Sequence, residues 1–474
     1  MASSSLSKEL HFLLIPLMSQ SHIIPLTNFA KLLALHGVNV SIITTPLNAQ
    51  RYKSIATQFN LKIQLIPLHF PSQEVGLPLG CENMDTLNSP ELFNKFFLAS
   101  EMMQEPLENL IQEMELHPSC IISTSPLTWT QQVANKFNIP RYVFQTVSSF
   151  TLYCSHTVNE TKILETLVLD SDSFLIPNVP HKIEFTRAQL PFDSRKQSSQ
   201  DHMKCIVDKI KKFQDMARGT LINTFEELEP WYVDAYKKVM NKVFCVGPVS
   251  LCNKEMVDRG NKASIDDEHS YCLNWLDSMS PKSVIYACFG RLCKISFLQM
   301  KEIGLGLESS NVPFIWVIRG LDFTLEVEKW LRDEDLEARV KGRGMIIGGW
   351  APQVVILSHP SIGGFLTHCG WNSTLEGISC GVPMITFPMF ADQFYNETFM
   401  LNVLEIGVSL GVQLSTNPWN QEKNLVLAEQ RRKRANHLAH ISNKATQQGG
   451  SSYLNIKLLI EDVMQLLLQY KNKK

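Results

Sequence analysis

The chain has 474 residues, 44% hydrophobic and 19% charged, which excludes disordered and fibrous classes and exceeds what one ordinary core accommodates. Lys+Arg 44 against Asp+Glu 46 leaves a net charge of −2, which argues against a nucleic-acid partner. MASSSLSKEL lacks the features of a secretory signal, no apolar run reaches the roughly 18 residues of a membrane span, and the 11 scattered cysteines read as reduced, so a cytoplasmic protein is expected.

In chain order, His11–Pro16 reads as a strand, Met18–His22 as a loop, and Pro25–His36 as a helix with Leu26, Phe29, Ala30 and Leu33 on one face. Gly37 stops that helix before the strand Val38–Thr44. Cys120–Ile122 is an apolar strand that runs out into an uncharged tip, Ser123-Thr124-Ser125. Tyr142–Gln145, Leu221–Asn223 and Val243–Val246 complete this half, and the polar stretch Asn253–His269 reads as a linker. A second alternation follows: the strand Val284–Phe289, the helix Phe297–Ser309, and strands at Phe314–Ile318, Met345–Ile347 and Gly363–Thr367. A helix from Asn372, the strand Val382–Thr386, a helix from Asp392, a loop Gln413–Asn424 and a helix from Leu425 come next.

This alternation predicts an α/β fold of two doubly wound, Rossmann-like parallel-sheet domains facing each other. The expected division is 1–252, a linker 253–269, a second domain 270–455, and a final helix 456–474 packing back on the first domain. Ligands should bind in the interdomain cleft, at the carboxyl ends of the strands.

The richest stretch is Trp350–Gln393. GGFLTHCGWNSTLEG reads as a strand, a tight turn and a helix start capped by Asn372 or Ser373, and such a start presents backbone N–H groups to a phosphate. His368 can donate to a phosphate oxygen, Glu376 can accept from ribose hydroxyls, and Trp350 offers a face for a base. For the turn by itself, a plain helix cap beside core tryptophans is an equal reading. NAD, ATP and serine-hydrolase motifs are absent. Asp170-Ser171-Asp172 and Asp333-Glu334-Asp335 lie in polar surface-like stretches, and no metal site is expected.

The whole segment resembles the signature box of the plant secondary-product UDP-glycosyltransferases. HFLLIPLMSQSHIIPLTNFAKLLALHG, NTFEELEP, GPVSL, NWLDSMSPKSVIYACFG and FIWVIR are similar to further family landmarks, while RGNKASID and FTRAQLP resemble the subgroup acting on triterpenoids, steroids, flavonoids and cytokinins. The resemblance implies the GT-B fold and metal-independent, inverting transfer from a UDP-sugar co-substrate, with no other cofactor. It implies Trp350 on uracil, Ala351 and Gln353 at base and ribose, His368, Asn372 and Ser373 at the pyrophosphate, and Gly370 in the UDP-sugar site. Glu376 would take the ribose and Trp371, Asp392 and Gln393 the sugar, Gln393 favouring glucose. His22 would be the general base, and a small lipophilic acceptor would sit around Ser21, Phe144, Ser148 and the loop Phe70–Thr86 of a monomer.

Three departures qualify the resemblance. Thr124 stands where the family carries the aspartate that orients the histidine; its hydroxyl could accept from the ring N–H but brings no charge. Arg291 replaces a small serine and could pair with phosphate or with the carboxylate of a glucuronic acid donor. Gly407–Arg434 is short by about one strand-plus-helix crossover unit. The expected activity is glycosyl transfer to a triterpenoid or steroid-like acceptor. Alternatives are a flavonoid or carboxylate acceptor, or a member that binds UDP-sugar or a partner without efficient turnover.

Overall fold

A computed structural model of the chain describes residues 10–57, 61–87, 89–191, 202–253, 267–292, 295–319, 323–412 and 425–471. The motif RGNKASID, most of the linker Asn253–His269 and the loop Gln413–Asn424 lie outside the described residues. Two compact units form, one from 1–153, 197–252 and 444–474, the other from 154–196 and 253–443. The division differs from the expected one: residues 154–196 group with the second unit, and the return to the first begins at Lys444.

The strands are β1 (His11–Ile15), β2 (Asn39–Thr44), β3 (Ile63–Pro67), β4 (Cys120–Thr124), β5 (Arg141–Gln145), β6 (Ser173–Leu175), β7 (Glu184–Thr186), β8 (Gly219–Ile222) and β9 (Val243–Cys245). In the first unit the sheet order is β3-β2-β1-β4-β5-β8-β9, every neighbouring pair parallel. Strand order reverses between β1 and β4, whose register pairs Ile15 with Ser123.

β1, β4 and β5 are buried along their whole length, as parallel strands covered on both faces must be. Phe12 and Leu14 join a core with Leu26, Phe29 and Leu33 of the helix Gln20–Leu35 and with Ile456, Leu459 and Val463 of the helix Ser451–Lys471. Leu13 and Ile15 join the opposite core, with Phe96, Leu107 and Trp129. Asp462 anchors the helix Ser451–Lys471: it accepts from Tyr142 Oη at 2.6 Å and Arg218 Nη2 at 2.8 Å, and it pairs with Lys242. Burial alone would raise its carboxyl, but these partners outweigh it and hold it at about 2.

In the second unit, β10 (Val284–Cys288), β11 (Phe314–Ile318), β12 (Gly344–Gly348), β13 (Ile362–Thr367), β14 (Met384–Thr386) and β15 (Gly407–Ser409) form a parallel sheet ordered β12-β11-β10-β13-β14-β15. Its order reverses between β10 and β13. The antiparallel hairpin β6–β7 belongs to this unit, with Phe185 edge-on to Tyr395 at 4.8 Å between ring centroids.

Candidate active site

Several of the residues singled out in the sequence lie at or after the carboxyl ends of the switch-point strands: His22 and Thr124 in the first unit, Arg291 and His368 in the second. After β1 the chain turns directly into the helix Gln20–Leu35, so His22 sits in its first turn and not in a loop. His22 Nδ1 is buried without a hydrogen-bond partner. Burial lowers the ring from its ordinary 6.5 to about 4, so it is neutral at pH 7.

Thr124, fully buried at the end of β4, does not bond to His22: its hydroxyl accepts the Leu17 N–H at 2.8 Å. The neighbouring Ser123 Oγ meets Thr130 Oγ1 at 2.8 Å and accepts from buried Arg141 Nε at 2.9 Å. The uncharged strand tip therefore satisfies a backbone donor and a buried guanidinium. Sequence reasoning missed the acid that does reach this corner. Asp85 accepts Ser19 Oγ–H at 2.6 Å and the Gln20 N–H at 2.8 Å.

In the second unit, Gly290 follows β10 with φ +73°, and His368 follows β13. A Cβ on Gly290 would lie 2.6 Å from His368 Nε2, and one on Gly370 2.5 Å, so the imidazole occupies space that only glycines leave open. His368 Nδ1 has no partner, and burial followed by the Arg319 charge lowers the ring to about 4. Gly370, not Asn372 or Ser373, is the N-cap of the helix Trp371–Ser379, which has no side-chain cap.

Gln353 Nε2 donates to Glu376 Oε2 at 2.8 Å and Ser373 Oγ at 3.1 Å, which brings three of the expected donor residues together. Burial raises the Glu376 carboxyl, with Gln353 and Arg319 pulling against it. Burial likewise raises Asp392 to about 6, against the Asn396 amide and the Trp371 N–H. Asn396 donates to Asp392 Oδ2 at 2.7 Å and to the Cys369 carbonyl at 2.9 Å. Gln393 spends its oxygen on the N–H groups of Met389 and Phe390. Trp350 is 58% exposed, Ala351 is buried, and Arg291 is half-buried without a carboxylate partner among the described residues.

Residues 203–418 match the family described as UDP-glucoronosyl and UDP-glucosyl transferase. UDP-glycosyltransferase 73C3 of Arabidopsis thaliana is 45% identical, covering 98% of this chain and 98% of its own. The chain belongs to the plant UDP-glycosyltransferase family. UDP-glycosyltransferase 73C11 of Barbarea vulgaris is 44% identical over 97% of both chains. Among solved structures, UGT73P12 of Glycyrrhiza uralensis, complexed with glycyrrhetinic acid 3-O-monoglucuronide, has a TM-score of 0.86 at 33% identity, covering 98% of this chain and 97% of that one. TcCGT1 in complex with UDP has a TM-score of 0.77 at 25% identity, covering 96% and 99%.

This UDP-glycosyltransferase therefore has the GT-B fold, takes a UDP-sugar as co-substrate and requires no cofactor. Among the described residues, no cluster of three or more His, Cys, Asp or Glu is placed to hold a metal, and no helix is long and apolar enough to cross a membrane. Two expected acceptor contacts are engaged within the fold. Phe144 is fully buried in the core, its ring 5.5 Å from Phe29. Ser148 Oγ accepts the Thr151 N–H at 3.0 Å and caps the helix Ser149–Thr161. Ser21 stays at the His22 corner, its hydroxyl 3.0 Å from Ser19 Oγ. Arg319 and Asn396 were missed as site residues, although Arg319 has a sequence signal: a cation at the carboxyl end of the wholly apolar strand β11.

Proposed function

We propose that the protein transfers glucose from UDP-glucose, with inversion and without a metal, to a hydroxyl of a triterpenoid or steroid-like acceptor in the cytoplasm. His22 Nε2 takes the hydroxyl proton, the acceptor oxygen bonds to the anomeric carbon, and UDP departs with the electron pair of the broken C–O bond. Gln353, Ser373 and Glu376 hold the ribose end, the turn His368–Gly370 and the uncapped helix start take the pyrophosphate, and Trp371, Asp392 and Gln393 take the sugar. The observation that carries the acceptor class is the likeness to UGT73P12, seen with a triterpenoid glucuronide, at a TM-score of 0.86.

The test is turnover of purified protein with UDP-glucose and UDP-glucuronic acid against triterpenoid, steroid and flavonoid acceptors. Glucose transfer to triterpenoids or steroids supports the reading. Strict use of UDP-glucuronic acid, lost in Arg291→Ser, would transfer the donor assignment to Arg291. UDP binding without turnover would identify a non-catalytic member. A second reading, ester formation on a carboxylate acceptor, is favoured by the unpartnered Nδ1 and lowered basicity of His22, because a carboxylate has no proton to give up. It requires that His22→Ala retain turnover.

A further inference from the structure

The helix that carries His22 begins at an N-cap, Ser19, whose side chain makes no capping bond within its own helix. The capping group comes instead from a turn 65 residues along the chain, where Asp85 Oδ2 accepts the Gln20 N–H at 2.8 Å. Its other oxygen accepts the Ser19 hydroxyl at 2.6 Å, and Ser19 Oγ in turn lies 3.0 Å from Ser21 Oγ. The same turn is fastened by Met84 N–H to the Met18 carbonyl at 2.8 Å. Asp85 is 5% exposed and Ser19 is fully buried, so these bonds lie largely out of competition with water. Glu82, three residues earlier, accepts the Leu47 N–H at 2.9 Å and serves the neighbouring helix Pro46–Thr57.

A helix amino terminus is the positive end of the helix dipole, which opposes an imidazolium forming in the first turn. Thr124 supplies no charge against it, and its hydroxyl is engaged by Leu17. We propose that Asp85 is the positioning residue of the His22 base: it fixes the helix start that presents the imidazole and supplies the negative charge that offsets the imidazolium as the acceptor proton arrives. This rests on His22 being the base. The proton goes from the acceptor hydroxyl to His22 Nε2, not to Asp85.

The experiment uses the full chain with UDP-glucose and an acceptor it turns over, comparing Asp85→Asn, Asp85→Ala, His22→Ala and Asp172→Asn. Asp85→Asn keeps the size and an acceptor oxygen, so it decides the matter even if Asp85→Ala fails to fold. It is expected to lower kcat by about tenfold or more, leave the KM for UDP-glucose within about twofold, and shift the acid limb of kcat to lower pH. Asp172→Asn, which alters a carboxylate that accepts the Val168 and Leu169 N–H groups, should change none of these. Wild-type kcat and an unmoved limb in Asp85→Asn, with His22→Ala inactive, overturn the proposal alone; an equal loss in Asp172→Asn does the same. Full turnover in His22→Ala overturns the base assignment itself. If no acceptor is turned over, NMR titration of the His22 ring decides: a lower pKa in Asp85→Asn supports the proposal, and an unchanged one overturns it.

Discussion

The hydroxyl of Thr124 accepts the backbone N–H of Leu17 at 2.8 Å, with both residues buried. Replacing it with the near-isosteric valine leaves that N–H without an acceptor. Thr124→Val should cost about 1–3 kcal/mol in denaturant unfolding, whereas Thr124→Ser should stay close to wild type. Equal stability of the valine and serine variants would refute this account.

Acidification acts on His22 twice. As a base the ring works when neutral, and with its pKa held at about 4, kcat should stay level from pH 8 down to about 5. Stability runs differently. His22 and His368 both titrate at about 4 when folded against the ordinary 6.5, so the unfolded chain takes up protons first. Their contribution is complete above 6.5 and is lost as pH falls toward 4. Melting curves recorded beside the rates should show a falling Tm across that window while kcat at low temperature holds.

Gly290→Ala tests the donor turn. The added Cβ would lie 2.6 Å from His368 Nε2, at a backbone φ of +73° that L-residues rarely adopt. At the overpacking cost of about 1–3 kcal/mol, calorimetry should find UDP binding weakened by roughly tenfold, and circular dichroism an intact fold.

Asp392 should make donor recognition pH-dependent. Its carboxyl is raised to about 6, so below that pH it is protonated and loses acceptor capacity toward a sugar hydroxyl. The KM for UDP-glucose should rise as pH falls through 6. Asp392→Asn should have a raised KM that no longer varies across this range, and a KM that still varied would assign the dependence elsewhere.

Arg319→Met should raise the KM for UDP-glucose by roughly 3- to 10-fold with kcat nearly unchanged, because the arginine's charge acts on Glu376 and His368 of the donor turn. A fall in kcat at constant KM would assign Arg319 to the chemical step instead.

The alternating apolar runs made both sheets legible, and the strand Phe314–Ile318 and the helix Phe297–Ser309 match the structure to the residue. The signature box likewise announced Gln353, Ser373 and Glu376, which meet within 3.1 Å. Sequence reasoning failed where a contact is purely tertiary. Nothing local to Asp85 points to Ser19, and nothing in the hairpin β6–β7 points to Tyr395. At Phe144 it had little to go on, since β5 is buried on both faces and alternation cannot say which side chain faces a ligand.

The helix Ser451–Lys471 imposes an order on biosynthesis. Every residue of the second unit precedes Lys444, whereas the first unit needs Ile456, Leu459 and Val463 to finish its core and Asp462 to neutralise Arg218 and Lys242. Synthesis therefore supplies every residue of the second unit before the first unit receives its last helix. The segment made first is thus completed last, and a released chain truncated before residue 456 would contain every residue of the second unit while leaving an open, apolar face on the first.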